Sequence, residues 1–206
     1  MKKNILFLLL LVPSVLWAQK NATVLLDKAA ARIKADAALQ MDYGYTVYDD
    51  DDAVVYDDSG IMLLDKGRYS LLMENMKVWC DGKTQWSYMK DIDEIYITEA
   101  DSEEAQNLSP LYIMEKYREN YSASVVSKGA VSVVALVSRD NDDEVNKVEL
   151  YINKETYRLE RLVIYMPSQG KVEVYLKGYV AKCKLGDDTY VCPVKSFSTA
   201  EVVDMR

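Results

Sequence analysis

The chain has 206 residues, half of them hydrophobic, with a formal net charge of −8, three cysteines and no histidine. That length suits one domain with a sizeable core. The acidic balance argues against nucleic acid, whose binding rests on Lys and Arg neutralising phosphates, and against anionic lipid surfaces. The lack of histidine removes Ser-His-Asp and Cys-His catalysis, histidine metal sites and histidine pH switching. No nucleophile motif stands in their place, so neither an enzyme nor a cofactor or metal is expected.

Met1-Lys2-Lys3 is a short basic start, and an apolar run from Leu6 to Trp17 ends at the small residue Ala18. This pattern reads as a secretory signal peptide over residues 1–18, too short for a membrane anchor. Gln19 stands where a lipid-modified protein would carry Cys, so the expectation is an unanchored exported chain with one domain over 19–206.

Thr23 is placed to cap a first helix, with Leu26, Ala30, Ile33 and Ala37 on one stripe and an end near Leu39. From Met41 the period changes to two, with Tyr43, Tyr45 and Val47 alternating with small or polar residues. Strands are expected over 54–56, 61–64, 69–73, 76–80, 84–89 and 94–98. Ser109-Pro110 starts a second helix whose stripe is Leu111, Met114 and Tyr117, ending near Asn120. Further strands are expected over 122–126, 131–137, 145–152, 158–166, 172–180 and 189–194. Adjacent strands joined by short turns give a mainly β chain with helices (α+β): an incomplete, strongly curved antiparallel β-barrel of about 10–11 strands. Strands apolar on both faces, such as 61–64, need cover on both sides. Helices over one face would enclose an apolar cavity.

Cys183 and Cys192 flank Gly186-Asp187-Asp188-Thr189. A two-residue turn there would set them opposite each other as a cross-strand disulfide; the alternative is two buried free thiols. Cys80 reads as a small core residue. The acidic runs at Asp49–Asp52 with Asp57 and Asp58, and at Asp140, Asp142, Asp143 and Glu144, read as solvated loops, with weak calcium binding as the alternative. Neither run fits an EF-hand.

The chain holds sixteen Tyr and nine Met but two Phe. Met62, Met73, Met76, Met89 and Met114 fall in the elements that would enclose the cavity. Such flexible side chains suit a surface that repacks around varied ligands, or simply an irregular core. Asp81-Gly82 is a hairpin-turn signal, and Trp86 and Tyr88, two residues apart, share a strand face.

Gly60 to Ser70, Asp81-Gly82-Lys83-Thr84-Gln85-Trp86-Ser87-Tyr88, Asp93-Glu94-Ile95 and the helix start Ser109-Pro110 together resemble the periplasmic outer-membrane lipoprotein carrier family (LolA). Phe197 and the ending Val202-Val203-Asp204-Met205-Arg206 are similar as well. The resemblance implies a helix-closed incomplete barrel that shelters the acyl chains of a lipoprotein in transit through the periplasm. It implies acylated lipoproteins or lipid as cargo, an ATP-driven inner-membrane donor complex and an outer-membrane acceptor, with the carrier a monomer. The family's Arg-Pro step, whose Arg latches the lid, falls at Lys66-Gly67 here. Lys lacks the planar five-donor fork, so the latch is Lys66 or the nearby Arg68. The family's aromatic pair falls at Tyr69 and Leu71. The expected lining is Tyr45, Leu64, Tyr69, Leu71 and Met73, together with Trp86, Tyr88, Ile95, Leu111 and Met114. The alternative function is a sensor or interaction module of the same fold that binds lipoproteins or lipids without transporting them.

Overall fold

The computed structural model describes residues 12–35, 38–102, 120–140, 145–167, 169–181 and 185–206. A helix, α1 (Val12–Ala35), precedes β1 (Leu39–Tyr48), β2 (Val54–Asp65), β3 (Arg68–Met73), β4 (Met76–Cys80), β5 (Thr84–Met89) and β6 (Glu94–Glu99). Then come β7 (Tyr121–Lys128), β8 (Val131–Ser138), β9 (Lys147–Asn153), β10 (Leu159–Met166), β11 (Gly170–Ala181) and β12 (Glu201–Asp204). The twelve strands form one curved open sheet in the order β12-β6-β5-β4-β3-β2-β1-β11-β10-β9-β8-β7. Two meanders therefore meet at β1, which pairs with β2 on one side and with β11 on the other. All pairs are antiparallel except β12, which runs parallel to β6.

The meander follows the alternation in the sequence, but several boundaries differ. The first helix begins at Val12, with Thr23 inside it, and stops at Ala35. Ala38 has φ 50°, a left-handed conformation that breaks the helical path, and Leu39 opens β1. Asp57 and Asp58 lie within the single twelve-residue strand β2, not in a loop. Asp57 accepts the Thr46 hydroxyl at 2.6 Å, and Asp58 is buried. Residues 189–194 do not form a strand: a 3-10 turn runs over Asp187–Tyr190 and a second over Val194–Ser196. The second predicted helix, with Leu111 and Met114, lies outside the described residues, as does Cys183. No described helix is long and apolar enough to cross a membrane.

Register divides the sheet into two faces. The inner face, as we call it, carries α1: Ala22, Leu26 and Ala29 are fully buried against Leu39 and Met41 of β1 and the matching residues of β8 to β11. A fully buried Leu such as Leu26 contributes about 2 kcal/mol. On the outer face, Trp79, Ile95 and Ile97 pack with Cys192 beneath the C-terminal segment. That segment is a strap. Phe197 sits 4.4 Å from the Tyr88 ring and 5.9 Å from Trp79, and the Ser70 hydroxyl donates to the Thr189 carbonyl.

Candidate functional site

β1 to β4 build a second apolar patch on the inner face. In β1, Tyr43 and Tyr45 follow Leu39 and Met41 at strand period. Pairing carries that face across to Met62 and Leu64 of β2, then to Leu71 and Tyr69 of β3, and on to Val78 and Cys80 of β4. Leu71, Met73 and Val78 are buried as a cluster of their own, with Tyr43, Tyr45, Met62, Tyr69 and Met76 packed against it. Its buried residues differ from those under α1, and Tyr43, Tyr45 and Met62 pack against both groups and bridge them. Between Tyr43 and Met73 the paired position is Gly60, where an added Cβ would lie 2.0 Å from the Leu72 carbonyl oxygen. Only glycine permits that approach of β2 to β3, and it leaves a gap in the side-chain layer.

At the hairpin-turn end of the sheet Tyr69 also borders a cleft of ≈ 660 Å³. Tyr69 and Cys80 form its inner wall, with Lys83, Glu99, Asp101 and Arg206 around it. The Tyr69 hydroxyl donates to Gln85 Oε1. Burial pushes the phenols of Tyr43, Tyr45 and Tyr69 above their ordinary value, and neighbouring groups add to this, Tyr45 at Tyr43 and Cys80 then Tyr43 at Tyr69. All three stay protonated donors at neutral pH. Burial also raises the Cys80 thiol, which outweighs the Gly82 amide that stabilises its thiolate, so Cys80 is inert wall.

The expected lining splits between the faces. Tyr45, Leu64, Tyr69, Leu71 and Met73 lie on the inner face. Trp86, Tyr88 and Ile95 project from the outer face into the cluster under the strap, so they are not part of this patch. Trp86 pairs with Trp79, and Trp79 with Ser70; Leu71 and Val78 pair one residue out of step. Counting outward from the Asp81-Gly82 turn, Cys80 opposes Gln85, which already sets Trp86 opposite Trp79. That count also brings in Val78, which the sequence reading missed along with Tyr43.

The family described as outer membrane lipoprotein carrier protein LolA matches residues 18–167. The chain belongs to that family. No curated protein matches it. Among solved structures, an uncharacterized conserved protein from Thermus thermophilus is similar at 12% identity and TM-score 0.57, over 89% of this chain and 99% of that one. The MucA/MucB complex of Pseudomonas aeruginosa is similar at 13% identity and TM-score 0.54, over 85% of this chain and 62% of that one. A LolA superfamily protein, NE2245 from Nitrosomonas europaea, aligns at 13% identity and TM-score 0.43, over 84% of this chain and 98% of that one. At these identities the likeness is one of fold.

Within the LolA family frame, Lys66 and Arg68 hold different places. Lys66 sits exposed at the tip of the β2–β3 turn with φ 52°. Arg68 bonds Asp65 at 2.9 Å and Asp187 at 2.6 Å, and its guanidinium lies 4.6 Å from the centre of the Tyr190 ring. Arg68 thus ties the turn to the strap on the outer face. The disulfide expectation assumed a two-residue turn at Asp187 and Asp188; a 3-10 turn runs over Asp187–Tyr190 instead, and Cys183 lies outside the described residues. Cys192 is a buried free thiol pushed up to about 11 by burial.

Proposed function

We propose that the protein is an extracytoplasmic carrier that shelters the acyl chains of a lipoprotein or lipid on the inner face of β1 to β4. The observation that carries this reading is the Met- and Tyr-rich patch around Leu71, Met73 and Val78, flanked by Tyr69, which also borders an open cleft. Sheltering about ten methylenes is worth around 8 kcal/mol, enough to hold a chain out of water. A bilayer offers the same gain. Loading therefore needs a donor that performs the extraction, and unloading an acceptor with better burial: an ATP-driven inner-membrane complex and an outer-membrane lipoprotein in the LolA pattern. The carrier acts in the periplasm as a monomer, with its lid contacts made through Lys66.

Protein purified from its native host, examined by native mass spectrometry before and after organic extraction, is expected to carry acylated ligand. No bound lipid, together with no uptake of a fluorescent acyl probe, refutes the proposal. Retained binding without transfer to acceptor vesicles containing the outer-membrane lipoprotein would make the protein a binding module of the same fold.

A further inference from the structure

On the outer face, register lines up a row across four strands: Val133 pairs with Tyr151, Tyr151 with Arg161, and Arg161 with Tyr175. Beside this row the pairing of β10 with β9 slips between Leu159 and Arg161, a β-bulge. Leu159 turns into the core under α1, whereas Glu160 and Arg161, adjacent in sequence, both line a pocket of ≈ 260 Å³ with Val131, Lys177 and the rest of the row. Bulges re-aim side chains in this way and are common next to active sites. The pocket holds opposite charges that the protein leaves unmatched. Among the described residues the Glu160 carboxylate accepts from the Asn153 side-chain amide at 2.9 Å, and Lys177 lies 5.2 Å from the centre of the Tyr175 ring. Neither has an ion-pair partner among those residues, and they do not pair with each other. Asp42, across from Lys177 in β1, turns its carboxylate to Gly178 instead. Arg161 gives one guanidinium nitrogen to Glu173, but its Nε is buried without an acceptor.

We propose that this pocket binds a free amino acid with an apolar side chain: Lys177 takes the α-carboxylate, Glu160 the α-ammonium, and Val131 and Val133 the side chain. A zwitterion carries both charges on one carbon, so each meets its opposite in a charge-assisted contact. A bare carboxylate would face Glu160, and a bare amine would face Lys177. Arg161 Nε–H is a second donor for the carboxylate, which gives an otherwise orphaned group its acceptor. The volume is of amino-acid scale, below the roughly 300–1,000 Å³ of pockets for drug-sized ligands. The pocket lies on the opposite face from Leu71 and Met73, so the inference goes beyond the carrier reading and does not depend on it.

The test is an NMR titration of the purified, isotope-labelled full chain at about pH 6.5, where α-amino groups are charged. It reads the amides of Val133, Arg161 and Tyr175 and the Arg161 Nε–H signal. Leucine or phenylalanine should shift these signals saturably, with a dissociation constant of about 1 mM for so small and open a pocket. Three controls each remove one feature of the tighter of the two: its N-acetyl derivative lacks the ammonium, its amide lacks the carboxylate, and glycine lacks the apolar side chain. Each control should bind roughly fivefold or more weakly, the loss of one charge-assisted contact or one buried side chain. Lys177→Met should bring the amino acid and its amide within about twofold of each other, and Glu160→Gln should do the same for the amino acid and its N-acetyl derivative. Both variants alter surface charge and should keep the wild-type urea midpoint. No saturable shift from either amino acid up to about 20 mM overturns the inference. So does an N-acetyl derivative that binds as tightly as the amino acid, which would make this a site for a plain carboxylate, or a preference unchanged in both variants. Each of these outcomes leaves the carrier reading in place.

Discussion

The carboxylate of Asp58 accepts the backbone N–H of Asn75 at 3.0 Å, joining β2 to the turn between β3 and β4. The same group accepts the amides of Ser59 at 2.8 Å and Glu74 at 3.3 Å and the Tyr56 hydroxyl at 3.2 Å. One buried side chain thus fixes the far end of the hairpin that carries Leu71, Met73 and Val78.

Asp58→Asn should therefore cost about 2 kcal/mol, since buried amides lose a charged acceptor. Burial alone would raise this carboxyl, but the amides of Asn75, Ser59 and Glu74 and the Tyr56 hydroxyl outweigh it and hold the pKa below the ordinary 3.8. A depressed folded value means the contribution is fully present above the unfolded value and is lost as pH falls through the folded one. Urea midpoints of wild type should fall more steeply than those of Asp58→Asn below about pH 4. Parallel curves for the two proteins would show that Asp58 is not the responsible group.

The strap makes a separate prediction. Phe197 bridges Tyr88 and Trp79, and Cys192 lies buried in the same cluster. Phe197→Ala should destabilise by about 2–3 kcal/mol, the lower end of the range for buried aromatics because Phe197 is only half-buried. In wild type the thiols of Cys80 and Cys192, both buried and both raised by that burial, should resist a disulfide reagent at pH 8. The variant should release Cys192 to labelling ahead of Cys80, as read by peptide mass mapping.

On the outer face of β10 and β11, Arg161 reaches Glu173 at 2.6 Å, with its guanidinium 4.9 Å from the Tyr151 ring centre and 5.3 Å from that of Tyr175. The Glu173 side chain is 6% exposed. Arg161→Met should cost about 2 kcal/mol, because it leaves a buried carboxylate with Lys171 at 4.0 Å as its remaining cation. The Tyr175 phenol is pushed up to about 12, first by its hydrogen bond to Glu173 and then by burial. In Glu173→Gln one tyrosine should titrate closer to the ordinary value of 10.0 in an absorbance titration at alkaline pH.

The strand meander was legible because alternation and turn residues are local signals. The span from Tyr69 to Thr98 illustrates this, where four expected strands match β3 to β6 within a residue or two. The apolar character of β3 was legible too, since Leu71 and Met73 are both buried there. The face of Trp86 and Tyr88 was not, because it depends on register accumulated through two hairpins, and slipping one residue reverses every side chain. The strap was hidden for another reason. Thr189 to Val194 reads as β-branched and aromatic, yet Tyr190 folds down as a fully buried anchor beside Arg68. Tertiary packing there overrides strand propensity. β12 is four residues long and pairs in parallel with β6, so no turn announces it.

That division of faces gives the most discriminating prediction about function. Leu71 is 7% exposed at the centre of the inner patch, and Trp86 packs on the opposite side under the strap. Leu71→Glu sets a charge against Met73 and Val78 and should abolish uptake of a fluorescent acyl probe. Because a charge there also threatens the fold, Leu71→Ala serves beside it: it should weaken uptake several-fold while costing about 2–3 kcal/mol of stability. Trp86→Ala should cost about 2 kcal/mol through lost contact with the strap and leave probe affinity within about twofold of wild type. Equal loss of uptake in Leu71→Ala and Trp86→Ala, at matched stability, would show that the ligand is not held by the inner face. Loss in Trp86→Ala alone would move the site beneath the strap.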